Sequence, residues 1–140
     1  GTAAVNQARL AYAAFQKTFS GPRWDALAKA GAAVQRPLWA STSTKNPSYP
    51  DTMYVDQLIG PDTVNTLPDA TLEAFANHGT VGRTIDLNVG VSKRQWAELA
   101  MNAIDVDEVA AQLEAEGVAS FIKSFDELIG VLEDKASGIS

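Results

Sequence analysis

Apolar residues recur every three or four positions near the start of the chain, which is the spacing of an amphipathic helix. These apolar positions are Val5, Ala8, Tyr12, Phe15 and Phe19. Thr2 is expected to cap this helix, and Ser20–Gly21–Pro22 is expected to stop it. A shorter helix around Trp24 and Leu27 is predicted to end at Gly31.

Two segments rich in β-forming residues, 34–41 and 63–67, have the pattern of short strands. A polar loop of eleven residues, 41–51, follows the first strand, and ordered loops of this length are often functional. A short helix after Asp51 and a longer one from Pro68 to Gly79 are also predicted. Because helices and strands alternate, the chain is expected to be α/β with parallel strand pairing.

The last third of the chain is predicted to be helical. Alternating apolar and polar residues first predict an extended segment over 80–91. Two later pairs have capping-box spacing and predict helix starts. They are Ser92 with Gln95, and Asp105 with Glu108. The second of these helices is expected to end at Gly117, with a last helix after it, and no domain boundary is predicted within residues 1–140.

The composition is that of a globular protein, with 46% hydrophobic and 20% charged residues. The chain has 140 residues, which is too few for a complete (β/α)₈ barrel of roughly 250 residues. Its net charge is −6 and its basic residues are scattered. We therefore expect neither nucleic acid nor an anionic membrane as a partner.

Several kinds of site are excluded by residue type. The chain has no cysteine and one histidine, His78, so thiol catalysis, cysteine-ligated zinc and sites with two histidines are excluded, and no metal is expected. No apolar run approaches the roughly 20 residues of a membrane span, and the N-terminal residues do not resemble a signal core. These features favour a cytoplasmic protein.

Four segments together resemble the C-terminal part of transaldolase, in its longer bacterial subtype. They read RPLWAST at 36–42, KNP at 45–47, DTMYV at 51–55 and TVNTLP at 63–68. The segments 3–15 and 113–128 also resemble helices of that family. The resemblance therefore extends over nearly the whole chain.

This resemblance implies a fold and an activity. Transaldolases are (β/α)₈ barrels that transfer a dihydroxyacetone unit between sugar phosphates through a lysine Schiff base, without a cofactor. Segments 35–41 and 63–67 would be the seventh and eighth strands, so the chain would comprise the last two βα units and the closing helices. The N-terminal remainder of the barrel would then be its partner, and sugar phosphates its substrates.

The resemblance also assigns the candidate site, which lies where barrel strands end. It implies that Ser41 and Lys45 bind the substrate phosphate, for which a short hydroxyl donor and a positive charge are suited. Asn65 and Thr66 are candidate substrate contacts, or they complete the polar mouth of the barrel. Ser43 stands where the family commonly has glycine, so the loop that carries Lys45 is expected to turn differently. The alternative is that Ser41 and Lys45 are ordinary loop residues.

Other residues of these segments are expected to be structural. Leu38 and Trp39 are both expected in the core. Arg36 begins a strand, away from the catalytic end of a barrel, and is expected to pair with a carboxylate. His78 precedes Gly79 at a helix end, where a positive charge favours the helix dipole, and it is not expected to be catalytic.

No catalytic residue is expected within the chain. A Schiff-base lysine has to be desolvated so that its amine is neutral and nucleophilic. Five of the six lysines lie on or beside predicted helices, and Lys45 lies in a polar loop. The family's Schiff-base lysine belongs to its fourth strand, which would lie upstream of this segment.

Two alternatives remain open from the sequence. The chain could come from a fused transaldolase and glucose-6-phosphate isomerase, in which case its small polar tail would be a linker. It could also be a non-catalytic interaction domain that retains the transaldolase pattern.

Overall fold

The computed structural model describes residues 1–139, which form two compact units, residues 1–97 and 98–139. The secondary structure is mainly helical, with one pair of short strands. The elements are α1 (Ala3–Thr18), α2 (Gly21–Lys29), β1 (Leu38–Trp39), α3 (Met53–Asp56), β2 (Val64–Asn65), α4 (Asp69–His78), α5 (Val89–Met101) and α6 (Val106–Ser137). The absence of an internal domain boundary stays a prediction.

The first two helices form where the apolar spacing predicts them. Val5 and Tyr12 are buried on one side of α1, and Pro22 occupies the first turn of α2, where its missing N–H removes no helical bond. The capping role predicted for Thr2 is wrong, since its side chain makes no cap hydrogen bond. Phe19 packs edge-on against Trp24, with ring centroids 4.7 Å apart, and so joins the two helices.

The two strands pair in parallel, as predicted. Leu38 faces Val64 and Trp39 faces Asn65 in the register of the pair. The regular pairing is shorter than the predicted segments 34–41 and 63–67. Pro37 has no N–H to donate at one end, and Ser41 leaves the extended conformation at the other, with φ 56°.

A small core lies beneath the strand pair. Val5, Tyr12, Leu58 and Ile85 form a buried cluster, and Trp39 packs against it. The prediction that Leu38 is also a core residue is wrong, because its side chain is 54% exposed. Successive strand residues point to opposite faces, and residues 1–139 cover only the face that carries Trp39.

The segment 80–91 is not extended, contrary to the prediction. The backbone N–H groups of Thr84 and Ile85 both donate to the carbonyl of Ile59, at 2.9 and 3.1 Å, and Ile85 is fully buried. An ion pair between Arg83 and Asp86 lies across the following turn. Of the alternating apolar residues only Ile85 is buried, because the chain turns immediately after it.

The predicted helix start at Ser92 is also wrong. Helix α5 begins at Val89, and the carbonyl of Asn88 accepts from the N–H groups of Val91 and Ser92. Ser92 therefore lies inside the helix, where its hydroxyl is buried without a hydrogen-bond partner among the described residues. The amide of Gln95 accepts a hydrogen bond from Asn6 at 2.9 Å instead of capping the helix.

The second predicted cap is confirmed. The carboxylate of Asp105 accepts from the N–H groups of Asp107 and Glu108 at the start of α6. The predicted break at Gly117 is absent, and α6 continues for 32 residues. A single glycine costs a helix only about 1 kcal/mol, which the hydrogen bonds on either side offset. No helix within residues 1–139 is long and apolar enough to cross a membrane.

Candidate functional site

The loop that follows β1 begins with an unusual backbone conformation at Ser41. Its φ of 56° lies in the left-handed region, which residues with a Cβ seldom occupy. The backbone N–H groups of residues 41–45 donate no hydrogen bond to any group of residues 1–139. These N–H groups and the hydroxyl of Ser41 are therefore donors that no group of residues 1–139 uses.

Thr42 ties this loop to the end of β2. Its side chain is only 4% exposed, and its hydroxyl donates to Oδ1 of Asn65 at 2.8 Å and lies 3.1 Å from the carbonyl of Thr66. The amide nitrogen of Asn65 donates in turn to the carbonyl of Tyr54, at 3.1 Å. The ends of both strands and α3 are thus joined by side-chain hydrogen bonds.

A cavity of about 750 Å³ lies between α1 and the loop after β1. Its lining is apolar on the side of α1 and β1 and polar along the loop. The lining residues are Ala4, Gln7, Ala8, Ala11, Leu38, Trp39, Ala40, Ser41, Thr42, Ser43, Lys45, Asn46, Tyr49, Tyr54 and Leu58. The volume is that of a small-molecule site.

The structure brings two of the four candidate site residues together in this cavity. Ser41 and Lys45 both line it, whereas Asn65 and Thr66 do not. Asn65 is instead bonded to Thr42 and Tyr54, and the hydroxyl of Thr66 donates to the carbonyl of Trp39 at 3.1 Å. The roles of all four residues toward a substrate stay predictions.

The position of Lys45 depends on Ser43. The ammonium of Lys45 donates to the hydroxyl of Ser43 at 2.9 Å, and the side chain of Lys45 is exposed. The left-handed residue in this turn is Ser41, and Ser43 is not among the residues with positive φ. The serine at the position where glycine is usual therefore contributes a polar contact to the lysine.

Two other charged residues lie outside the cavity. The carboxylate partner expected for Arg36 is missing, since Arg36 forms no ion pair with the described carboxylates. His78 ends α4 as predicted, and its Nε2 lies 2.8 Å from Oδ1 of Asp51 at the end of the loop. This hydrogen bond lowers the pKa of Asp51.

None of the six lysines is buried. Five lie on α1, α2, α5 and α6, Lys45 lies in the loop, and all six side chains are exposed. No group of three or more histidine, cysteine, aspartate and glutamate side chains in the described part of the chain is arranged to hold a metal ion.

A family model described as Transaldolase/Fructose-6-phosphate aldolase matches residues 1–132. The chain belongs to this transaldolase family. Transaldolases of Frankia alni and Thermobifida fusca are 52% and 48% identical over 130 residues, which is 92% of this chain and 35% of each of those proteins. A transaldolase of Trichodesmium erythraeum is 46% identical over the full chain and 37% of its own length.

The chain thus spans little more than a third of these relatives' length. The family implies a (β/α)₈ barrel, and residues 1–139 are one helix-rich α/β segment of such a protein. The one strand pair within residues 1–139 fits such a partial segment.

The hydrogen-bonded pair Thr42 and Asn65 is the part of the site that sequence reasoning missed. The two residues lie 23 positions apart in the chain. The available signal was the parallel pairing itself, because the ends of neighbouring parallel strands meet at one edge of a sheet. A threonine directly after one strand and an asparagine at the end of the next are then expected to form a hydrogen bond.

Proposed function

We propose that this chain is the C-terminal part of a transaldolase and forms the last two βα units and the closing helices of a (β/α)₈ barrel. The complete enzyme transfers a dihydroxyacetone unit between sugar phosphates in the pentose phosphate pathway, in the cytoplasm and without a cofactor. The family membership and the relatives named transaldolase support this proposal. The parallel pair β1–β2, with helices before, between and after its strands, fits two such units.

In this proposal, Ser41 and Lys45 bind the phosphate of the substrate. The observation that carries it is their meeting in one cavity, where the sequence pattern predicts a phosphate site. A phosphate dianion needs several donors and a positive charge. The Ser41 hydroxyl, the unpaired N–H groups of residues 41–45 and the Lys45 ammonium provide them.

The Schiff-base lysine lies in another part of the polypeptide in this proposal. Its neutral amine condenses with the ketose carbonyl and releases water, which requires a desolvated lysine. The six lysines of this chain are all exposed and none lies on a strand, which supports a lysine outside the chain.

Borohydride trapping tests the proposal. The complete protein is reduced in the presence of a ketose phosphate, digested and mapped by mass spectrometry. We expect one modified lysine outside residues 1–140 and none on the isolated chain. An adduct on one of the six lysines of this chain, or no adduct anywhere in the complete protein, would contradict the assignment.

A non-catalytic interaction domain is the second candidate, and the surface of α6 favours it. The apolar side chains along this helix are exposed, with Phe121 at 82%. Binding of a sugar phosphate that is lost on Ser41→Ala would argue against this candidate. Binding that is absent, or unchanged by Ser41→Ala, would favour it.

A further inference from the structure

We propose that Thr42 and Asn65 are positioning residues that hold Ser41 in its left-handed conformation and thereby set the affinity for the substrate phosphate. The inference rests on the proposed function, in which Ser41 is a phosphate ligand. It concerns the hydrogen bond between Thr42, which is not one of the four candidate contacts, and Asn65, which is a candidate only for touching the substrate.

The positive φ of Ser41 requires a structural explanation. A residue with a Cβ seldom adopts positive φ, and strained conformations of this kind cluster at binding sites, where the surrounding structure fixes them. Ser41 is followed at once by Thr42, the most buried polar residue of the loop, with 4% exposure. The side chain that anchors Thr42 therefore also fixes the direction in which the chain leaves β1.

The hydroxyl of Thr42 is engaged with the end of β2. A threonine hydroxyl has one hydrogen, and that of Thr42 is donated toward β2, with Oδ1 of Asn65 at 2.8 Å as the nearer acceptor. Asn65 is held in its turn, because its amide nitrogen donates to the carbonyl of Tyr54. Thr42 thus acts on a bound phosphate through the backbone it shares with Ser41.

The consequence is a specific effect on phosphate recognition. If Thr42 loses its anchor, Ser41 is free to relax toward negative φ, and its hydroxyl and N–H turn away from their position in the cavity. Substrates that carry a phosphate should then bind less well. A substrate without a phosphate should be unaffected, because nothing in its recognition depends on Ser41.

The test compares two ketoses in the complete enzyme that contains this segment. The probes are fructose 6-phosphate and fructose, and the variant is Thr42→Val, which keeps the shape of threonine and removes the hydroxyl. We expect KM for fructose 6-phosphate to rise about tenfold, the effect of losing roughly one hydrogen bond to a charged group. The kcat with this substrate and kcat/KM for fructose should change less than about twofold. Thr42→Ser should restore KM.

Thr52→Val is the matched control. Thr52 is equally buried, at 3% exposure, and its hydroxyl donates to Asp56 at 2.6 Å, but it does not line the cavity. This variant should leave the ratio of kcat/KM for the two ketoses unchanged. If Thr42→Val also leaves that ratio unchanged, or lowers both kcat/KM values equally, its role is structural only and the proposal is overturned.

Ser41→Ala separates this inference from the proposed function. If Ser41→Ala lowers the preference for fructose 6-phosphate and Thr42→Val does not, the inference fails and the phosphate role of Ser41 stands. If Ser41→Ala has no effect on the preference, that role fails and the inference fails with it. We expect the double variant to be no worse than Ser41→Ala alone, because both changes act on one contact.

Asn65→Ala decides the matter if Thr42→Val yields no folded enzyme. This substitution removes Oδ1 of Asn65, which accepts the hydrogen bond from Thr42, and Asn65 itself does not line the cavity. The same selective rise in KM for fructose 6-phosphate is expected. An unchanged preference between the two ketoses in a folded Asn65→Ala enzyme overturns the proposal.

Discussion

The two units of the chain use similar patterns of apolar residues with different results. In residues 1–97, the apolar side of α1 is covered, and Val5, Tyr12 and Ile85 are buried. In residues 98–139, α6 has an apolar stripe of comparable regularity, yet no residue of this helix is buried. The spacing of apolar residues therefore correctly predicts a helix in both units. It correctly predicts burial of the apolar side of the helix only in residues 1–97.

The difference shows what stabilises each unit. Residues 1–97 have side chains that lose their contact with water, and burial is the main source of folding stability. Helix α6 relies on its cap at Asp105 and on backbone hydrogen bonds, and isolated helices with little packing are marginal in water. Substitutions of the same type should consequently have different effects in the two units.

The largest effect is expected for Ile85→Ala, at the centre of the core. The side chain is fully buried, so its loss removes apolar burial and leaves a cavity. We expect the free energy of unfolding to fall by about 2–5 kcal/mol in urea titrations. The control is Ile122→Ala on α6, where the side chain is 57% exposed and the expected change is below about 1 kcal/mol. Equal losses of unfolding free energy in the two variants would show that burial does not distinguish the two units.

Glycine to alanine substitutions should change the stability by a smaller amount. We expect a loss of stability in residues 1–97 and a gain in residues 98–139. A Cβ on Gly60 would lie 2.1 Å from Cγ2 of Ile85, so Gly60→Ala should destabilise by about 1–3 kcal/mol. A Cβ on Gly130 in α6 meets nothing within 4 Å, and Gly130→Ala should stabilise that helix by about 0.5–1 kcal/mol. Thermal unfolding followed by circular dichroism measures both, and two changes of the same sign would refute this expectation.

Ser92→Ala is expected to stabilise residues 1–97, although it removes a buried side chain's polar group. Ser92 is 1% exposed as a residue, and its buried hydroxyl has no partner within residues 1–139, which is unfavourable for a polar atom. Ser124→Ala on α6 provides the control, because it changes helix propensity alone, by about 0.5 kcal/mol. The gain from Ser92→Ala in urea titrations should exceed that of the control by up to about 1 kcal/mol. A net loss would mean that the hydroxyl is bonded in solution.

The smallest effect is expected for Asp51→Asn, and it should depend on pH. The hydrogen bond from His78 lowers the pKa of Asp51 below its ordinary value of 3.8 in the folded state. The ionised form is thus favoured by folding, so this contribution is fully present above pH 3.8 and is lost as the pH falls through the lowered pKa of the folded state. The melting temperatures of Asp51→Asn and the unsubstituted chain should differ near neutral pH and converge once the pH lies below the lowered pKa of Asp51. Asp126→Asn on α6 is the control, because Asp126 forms no ion pair with the described residues, and only pH dependence beyond that of the control is assigned to Asp51.

The local elements of the fold were predictable, and those set by distant contacts were not. The spacing of apolar residues suffices for α1, and the capping box suffices for the start of α6 at Asp105. The turn at Ile85 was not predictable in this way, because it depends on the carbonyl of Ile59, 26 residues earlier in the sequence. Ser92 has the sequence of a cap but lies within α5, since that helix is already initiated at Asn88.

The same division applies to the candidate site. The motif around Ser41 and Lys45 predicted two residues that the structure places in one cavity. The left-handed backbone of Ser41 and its link through Thr42 to Asn65 depend on the pairing of two strands, so they could be seen only once the register was known. Residue types thus indicate which groups bind a ligand, and tertiary structure determines how those groups are held.

The length of α6 limits what can cover its apolar stripe. At 1.5 Å per residue, 32 residues make a rod of roughly 48 Å. A small molecule or a short peptide is too small to shield a stripe that follows such a rod. Only a surface of comparable length can cover the whole stripe.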